Sequence, residues 1–389
     1  GFGHVQQTDS EAATINPDPG FSQPVRVLTW YHTGRALNLS RLTYFKRDAQ
    51  AIALGKTLFT RYERKKGVDK IVKTTLDAES KYQIARALVG SVLRSETYAD
   101  TPRLTMPYLV VERRYLVREV RPQDRYAAAV LLPMLAEEIE YQYDGFANDP
   151  LCRHSINLLR DAYGSLIRGF DVSYARRLTA DSPAPFADED ENAFWRDAHD
   201  DAQQSFYLRE SRARFIDLDT DRQKWRLGLP YQQRENALVL PKGTLPAGLN
   251  PAQVSYENFT KHQDSKTWLD LHVLITQSVQ RYVGTDGKPL NDGEAGFEAL
   301  SGRVEVALLD KTALDAYSLP GKDFDVRAEL KKIGYNSMPF LFGIIPRGST
   351  HQDLWSAYFN DVEYHDSEHF HHVRRYRETL SHGWTSADY

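Results

Sequence analysis

The sequence predicts an α+β protein, with a helix-rich basic domain followed by a mixed α+β domain. Apolar residues recur near helical spacing through much of residues 41–168. The two halves of the chain carry opposite charge. The texture of the sequence also changes after a proline-bearing acidic stretch at residues 180–191.

The 389 residues suffice for two domains. With 41% hydrophobic and 26% charged residues, the composition excludes an intrinsically disordered chain. Between Arg26 and Ala180 there are 26 Lys and Arg against 17 Asp and Glu, a net of +9. The overall charge is −4, so the excess is reversed elsewhere, chiefly beyond residue 180. Such asymmetry bears on partners rather than on fold. Cys152 is the single cysteine, which excludes an intrachain disulfide, and its apolar neighbours predict a small core residue.

Residues 1–25 are polar, with Pro17, Pro19 and Pro24, and read as an N-terminal arm. Val25 to Thr33 is rich in β-formers and predicts a strand ending at Gly34. Leu42, Phe45, Ala49, Ile52, Leu54 and Leu58 predict a helix over 41–64, broken at Gly67. A second helix is expected over 76–96, with Asp77 as N-cap and Ile84, Leu88 and Val92 on one face. Tyr108 to Val120 predicts a strand, with Arg113, Arg114, Arg118 and Arg121 projecting. Helices are expected over 123–141, kinked at Pro133, and over 150–168. These elements form the basic domain, residues 26–180.

Residues 181–191 are acidic and carry Pro183 and Pro185, so they read as a linker. The second domain, residues 192–389, starts with a polar helix over 192–214. Trp268 to Val283 and Arg303 to Leu309 predict strands, and Phe340 to Ile345 predicts a buried strand or wall.

Two constellations are candidates for function. Arg61, Arg64, Lys65 and Lys66, together with Arg113, Arg114, Arg118 and Arg121, form basic clusters interleaved with tyrosine. That pattern suits nucleic-acid phosphates or an acidic neighbouring subunit. The second lies near the C-terminus, where His365-Asp366-Ser367-Glu368-His369 matches H-x-x-E-H, the inverzincin pattern. On a helix, His365 and His369 would share a face and could ligate zinc. His372 is a further candidate ligand, and Glu368 would act on a metal-bound water. Phosphate-loop and nucleophile-elbow motifs are absent.

With no complete catalytic motif, the leading expectation is a non-enzymatic assembly subunit, such as a viral or phage capsid or connector protein. It would form a homo-oligomer, turn a basic face toward nucleic acid or a neighbour, and need no cofactor. The alternatives are a zinc hydrolase using residues 365–369 and a nucleic-acid-binding module. No apolar run approaches the ~20 residues that span a bilayer. The expected location is therefore soluble, in the cytoplasm or a virion.

Overall fold

The computed structural model describes residues 3–8, 24–36, 43–72, 76–99, 106–125, 127–143, 147–221, 223–245, 247–262, 264–317, 325–359, 361–364, 373–380 and 383–388. Among the described residues the fold is mostly antiparallel β-sheet, with 44% strand, 17% helix and six short α-helices. It divides into two compact units. Unit 1 comprises Gly1–Leu208 and Val239–Gln263; unit 2 comprises Arg209–Leu238 and Asp264–Tyr389.

In unit 1 the chain forms β1 (His4–Thr8), β2 (Val25–Tyr31), β3 (Leu58–Glu63), β4 (Val68–Ile71), α1 (Ala78–Ala87), β5 (Val92–Ala99), β6 (Leu109–Arg121), β7 (Val130–Gln142), β8 (Leu151–Arg160), β9 (Leu166–Ser173) and α2 (Glu189–Asp197). The spatial order is β1-β2-β5-β6-β7-β8-β9. β3 and β4 make a hairpin whose β3 runs parallel to β6. β6 is thus flanked by β5 along its first half and by β3 along its second. Ile84 and Leu88 of α1 pack with Val117 of β6. Leu54, Val110, Ile139, Tyr141, Tyr143 and Cys152 form a second apolar cluster.

The boundary between the units falls within β10 (Ser205–Leu218) and β11 (Arg226–Pro241). After them come α3 (Tyr256–His262), which belongs to unit 1, and α4 (Lys266–Leu269). Unit 2 continues with β12 (Val273–Val283), β13 (Leu300–Leu309), α5 (Lys311–Tyr317), α6 (Val326–Lys332), β14 (Asn336–Ser337) and β15 (Trp355–Phe359). Its strands lie in the order β10-β11-β12-β13-β15-β14. β16 (Asp361–Tyr364), β17 (Val373–Leu380) and β18 (Gly383–Asp388) form a separate three-stranded sheet.

The helix-rich reading of residues 26–180 is overturned. The helix expected over 123–141 is β7, and the one over 150–168 is β8 and β9 joined by a tight turn. Of the expected helix 41–64, residues 58–63 form β3. The physical reason is the identity of the inward residues. β7 buries Glu137, Ile139 and Tyr141, and β8 buries Cys152, His154, Ile156 and Leu158. Buried charges break the apolar–polar alternation that marks a strand, and the leftover apolar residues then mimic a helical stripe. Pro133 lies outside the stretch of β7 that pairs with β8, so its missing N–H costs no bond on that side.

The expected strands at 25–33, 108–120 and 303–309 are present as β2, β6 and β13. Asp77 caps α1, accepting from Ser80 N at 2.6 Å, but the helix stops at Ala87 and β5 follows. Most of the expected helix 192–214 is replaced, with α2 ending at Asp197 and β10 beginning at Ser205. Residues 340–345 form a buried wall built on a 3-10 turn rather than a strand.

Candidate functional site

In unit 1 the charged residues converge on Arg114. β6 and β7 pair so that Arg113 opposes Glu138 and Arg114 opposes Glu137, which makes both ion pairs direct cross-strand neighbours. The outward pair is half-exposed, with Arg113 Nε 2.6 Å from Glu138 Oε2. The inward pair is sealed. Arg114 Nη1 donates to Glu137 Oε2 at 2.5 Å, and Nη2 donates to Glu257 Oε1 of α3 at 2.5 Å. Its Nε donates to Lys56 O at 2.7 Å, clamping the strap before β3. A Cβ at Gly55 would lie 2.6 Å from the guanidinium carbon, so the strap can approach only because residue 55 is glycine.

Glu137 is held from two further directions. Its Oε1 accepts from Tyr256 N at 2.8 Å and lies 3.3 Å from His154 Nε2. The other ring nitrogen of His154 meets the Tyr174 hydroxyl at 3.0 Å. Burial alone would raise the Glu137 carboxyl, but His154 and Arg114 outweigh it and hold it below the usual carboxylate range. Burial opposes the Arg114 charge too, and Glu257 and Glu137 reverse that effect. Each charge is thus stabilised by the others.

The other predicted cations divide between interior and surface. Arg118 is buried and bidentate on Asp69, at 2.8 and 2.6 Å, with Nη1 on Asp161 O at 2.7 Å. Arg61 pairs with Glu119, and Lys66 lies 3.1 Å from Glu63. Arg121 is exposed and donates to Ala128 O at 3.2 Å. Arg64 and Lys65 are exposed in the β3–β4 turn.

Unit 2 contains a second buried network that sequence reasoning missed. In this unit Glu210 faces inward on β10, while Gln232, Arg234, Asn236 and Leu238 alternate inward along β11. Within unit 2, Glu210 is fully enclosed. Its Oε1 accepts from Arg212 Nε at 2.9 Å, and its Oε2 accepts from Asn236 Nδ2 at 3.0 Å and meets His272 Nε2 at 2.8 Å. His272 Nδ1 faces Trp268 O at 2.7 Å. Both ring nitrogens therefore face oxygen. Arg234 Nε donates to Asn236 Oδ1 at 2.8 Å, and its Nη1 reaches Gln277 Oε1 at 3.3 Å and Leu341 O at 3.2 Å. Burial and the neighbouring Arg212 push its guanidinium down to about 10, against the pull of Glu210. The available signal was the phase of Gln232, Arg234 and Asn236, which matches that of Leu238 and Leu240.

A carboxylate on an imidazole has the form of an acid–base dyad. Glu210 and His272 are 0% and 2% exposed, and Glu137 and His154 are 1% each, so a substrate reaches neither pair. The two clusters join strands and loops. Among the described residues, no group of three or more His, Cys, Asp or Glu could hold a metal ion. The candidate zinc residues His365, Glu368, His369 and His372 lie outside the described residues. Cys152 is buried in the apolar cluster and its thiol is pushed up by burial. No helix among the described residues is long and apolar enough to cross a membrane.

Comparison with known proteins gives two concordant likenesses. Residues 83–229 match the family model described as the insecticide toxin TcdB middle/C-terminal region. The fold matches the crystal structure of TcdB2-TccC3 without its hypervariable C-terminal region, at 26% identity and a TM-score of 0.81. It also matches the TcdB2-TccC3-TEV crystal structure, at 28% identity and a TM-score of 0.81. A third match is the Photorhabdus luminescens Tc holotoxin pore with a mutation in TccC3, at 27% identity and a TM-score of 0.79. Each structural match covers 97% of this chain but 17% of the other, so the chain spans about one-sixth of the length of the solved chains it matches. Among curated proteins, a sequence search finds no match. These likenesses overturn the expectation of a viral or phage capsid or connector protein, because the similar proteins are components of insecticidal Tc toxins.

Proposed function

We propose that this chain is a β-sheet scaffold segment of a larger Tc-type toxin component, holding other parts of that component in place without catalysing a reaction. The observation that carries this reading is a fold likeness over 97% of the chain at 26–28% identity, supported by the toxin family model on residues 83–229. The buried networks suit such a role. They connect strands distant in sequence, as Arg114 connects β6 to β7, α3 and the strap at Lys56. Unpaired alternatives for such charges cost several kcal/mol, so the networks favour one register. The partners are then the remaining parts of a toxin complex, and the scaffold role requires no cofactor.

The test is a segment exchange. The matching sixth of the TcdB2-TccC3 chain is replaced by this chain, and the product is followed by size exclusion and electron microscopy. A chimera that assembles like the parent supports the reading. A chimera that contains this segment folded, by circular dichroism and protease resistance, but does not assemble overturns it. Light scattering of the isolated chain addresses the self-association expected from its charge asymmetry. A closed homo-oligomer would stand against a scaffold segment, and a monomer would favour it.

A further inference from the structure

In unit 1 a cleft of about 620 Å3 is lined by Arg35, Lys56, Thr57, Lys81 and Tyr82, with Leu76 among its apolar walls. No lining residue is a carboxylate. Among the described residues, the Arg35, Lys56 and Lys81 side chains have no acidic side chain within ion-pair distance. The contrast with neighbouring cations is sharp, since Arg61, Lys66, Lys70, Arg94, Arg114 and Arg118 all have carboxylate partners.

The three cations are delivered by anchored segments. Lys56 sits on the strap that Arg114 clamps through the Lys56 carbonyl. Lys81 and Tyr82 lie on α1, which is fixed by Ile84 and Leu88 packing against Val117. Asp77, one turn before Lys81, directs its carboxylate to the helix cap. Arg35 follows Gly34, which adopts φ +78° and sits so close to Val89 that a Cβ would collide with it. Reciprocal backbone bonds tie this turn to the end of α1, with His32 N donating to Ser91 O at 2.9 Å and Gly90 N donating to His32 O at 3.0 Å.

We propose that this cleft is a binding site for an organic diphosphate carrying an aromatic ring, the chemistry of a nucleoside diphosphate. Asp77, the acidic neighbour of Lys81, is spent on the helix cap, and a cleft lined by one sign concentrates the field on an anion. Lysine and arginine with a hydroxyl are the donor set that phosphate oxygens take. Tyr82 is 46% exposed at the rim and offers a ring for stacking. The volume falls within the roughly 300–1,000 Å3 typical of small-molecule sites. The inference stands apart from the scaffold reading, because it rests on this cleft alone.

The experiment is calorimetric titration of the full chain with ADP at low salt, with adenosine and inorganic pyrophosphate as the two halves of the probe. ADP should bind more tightly than pyrophosphate, and adenosine should not register. Lys56→Gln combined with Lys81→Gln should weaken ADP by at least about tenfold, while circular dichroism stays unchanged. The matched control is Arg64→Gln with Lys65→Gln, two exposed cations of the same unit, which should leave ADP binding intact. Absence of ADP binding at millimolar concentration overturns the proposal. So does an equal loss in the control pair, which would reveal diffuse charge rather than a site.

Discussion

Arg114 in unit 1 and Arg234 in unit 2 are both buried on inward strand positions, yet their surroundings differ. Arg114 meets two carboxylates and a carbonyl, and is held more firmly charged than an ordinary arginine. Arg234 meets only amide and carbonyl oxygens, with its balancing carboxylate Glu210 one residue removed through Asn236, and its pKa falls to about 10. Its Nη2 has no hydrogen-bond partner. Burial therefore does not fix how much a charge contributes. What decides is whether the opposite charge is in direct contact, because desolvation of both partners must be offset at short range.

The largest effect should come from removing the hub of the unit 2 network. Glu210→Ala removes the carboxylate on which Arg212, His272 and Asn236 converge. It should cost roughly 3–5 kcal/mol, read from the urea midpoint. Arg114→Met should cost about 3 kcal/mol, because Glu137 keeps His154 and the Tyr256 amide while half-exposed Glu257 returns to water. A loss below about 1 kcal/mol in either variant would mean that the network is not what holds its unit together.

His32 offers a buried ring that packs edge-on against Tyr115 but has no hydrogen-bond partner for its nitrogens. It is 2% exposed, neither ring nitrogen is hydrogen-bonded, and burial pushes it down to about 4. The unfolded chain, with an ordinary histidine near 6.5, binds the proton first. The His32 contribution is therefore intact above about pH 6.5 and lost as pH falls through 4. Stability should drop by about 2 kcal/mol between pH 7 and pH 5 from this residue. His32→Leu should remove that part of the acid sensitivity; an unchanged pH profile would show that the ring charges elsewhere.

Arg234→Met should have the smallest effect, about 1–2 kcal/mol. It removes a poorly balanced charge, and Gln277 Oε1 still accepts from Leu341 N at 2.8 Å. If it proved as damaging as Arg114→Met, the contrast between direct and relayed charge balance would fail.

Parts of the fold were legible because local chemistry decides them. β-branched runs marked β2, β6 and β13, and a side-chain oxygen three residues before an amide marked the start of α1. The polar inward positions were not legible. Glu137, His154, Glu210, Arg234 and Asn236 look like solvated residues unless their partners are known. Those partners lie up to about one hundred and twenty residues away, as with Tyr256 and Glu137. The predicted Arg-rich strand was real, but its inward and outward arginines could not be separated. Val111 and Val117 on the other face are buried as well, so apolar alternation does not mark which arginines turn inward. The cleft cations Arg35, Lys56 and Lys81 are scattered in sequence, whereas in the conspicuous cluster Arg61 pairs with Glu119, and Lys66 and Lys70 pair with Glu63.

By itself the sequence determined the charge asymmetry, the isolated cysteine, several strand positions and the cap of α1, all properties set within a few residues. Tertiary structure alone decided that most of the first half is sheet rather than helix, and which charged side chains face inward. A buried ion pair is stable only when both members leave water together, so its sign as core or surface is a property of the pair. One chain segment carries only half of that information.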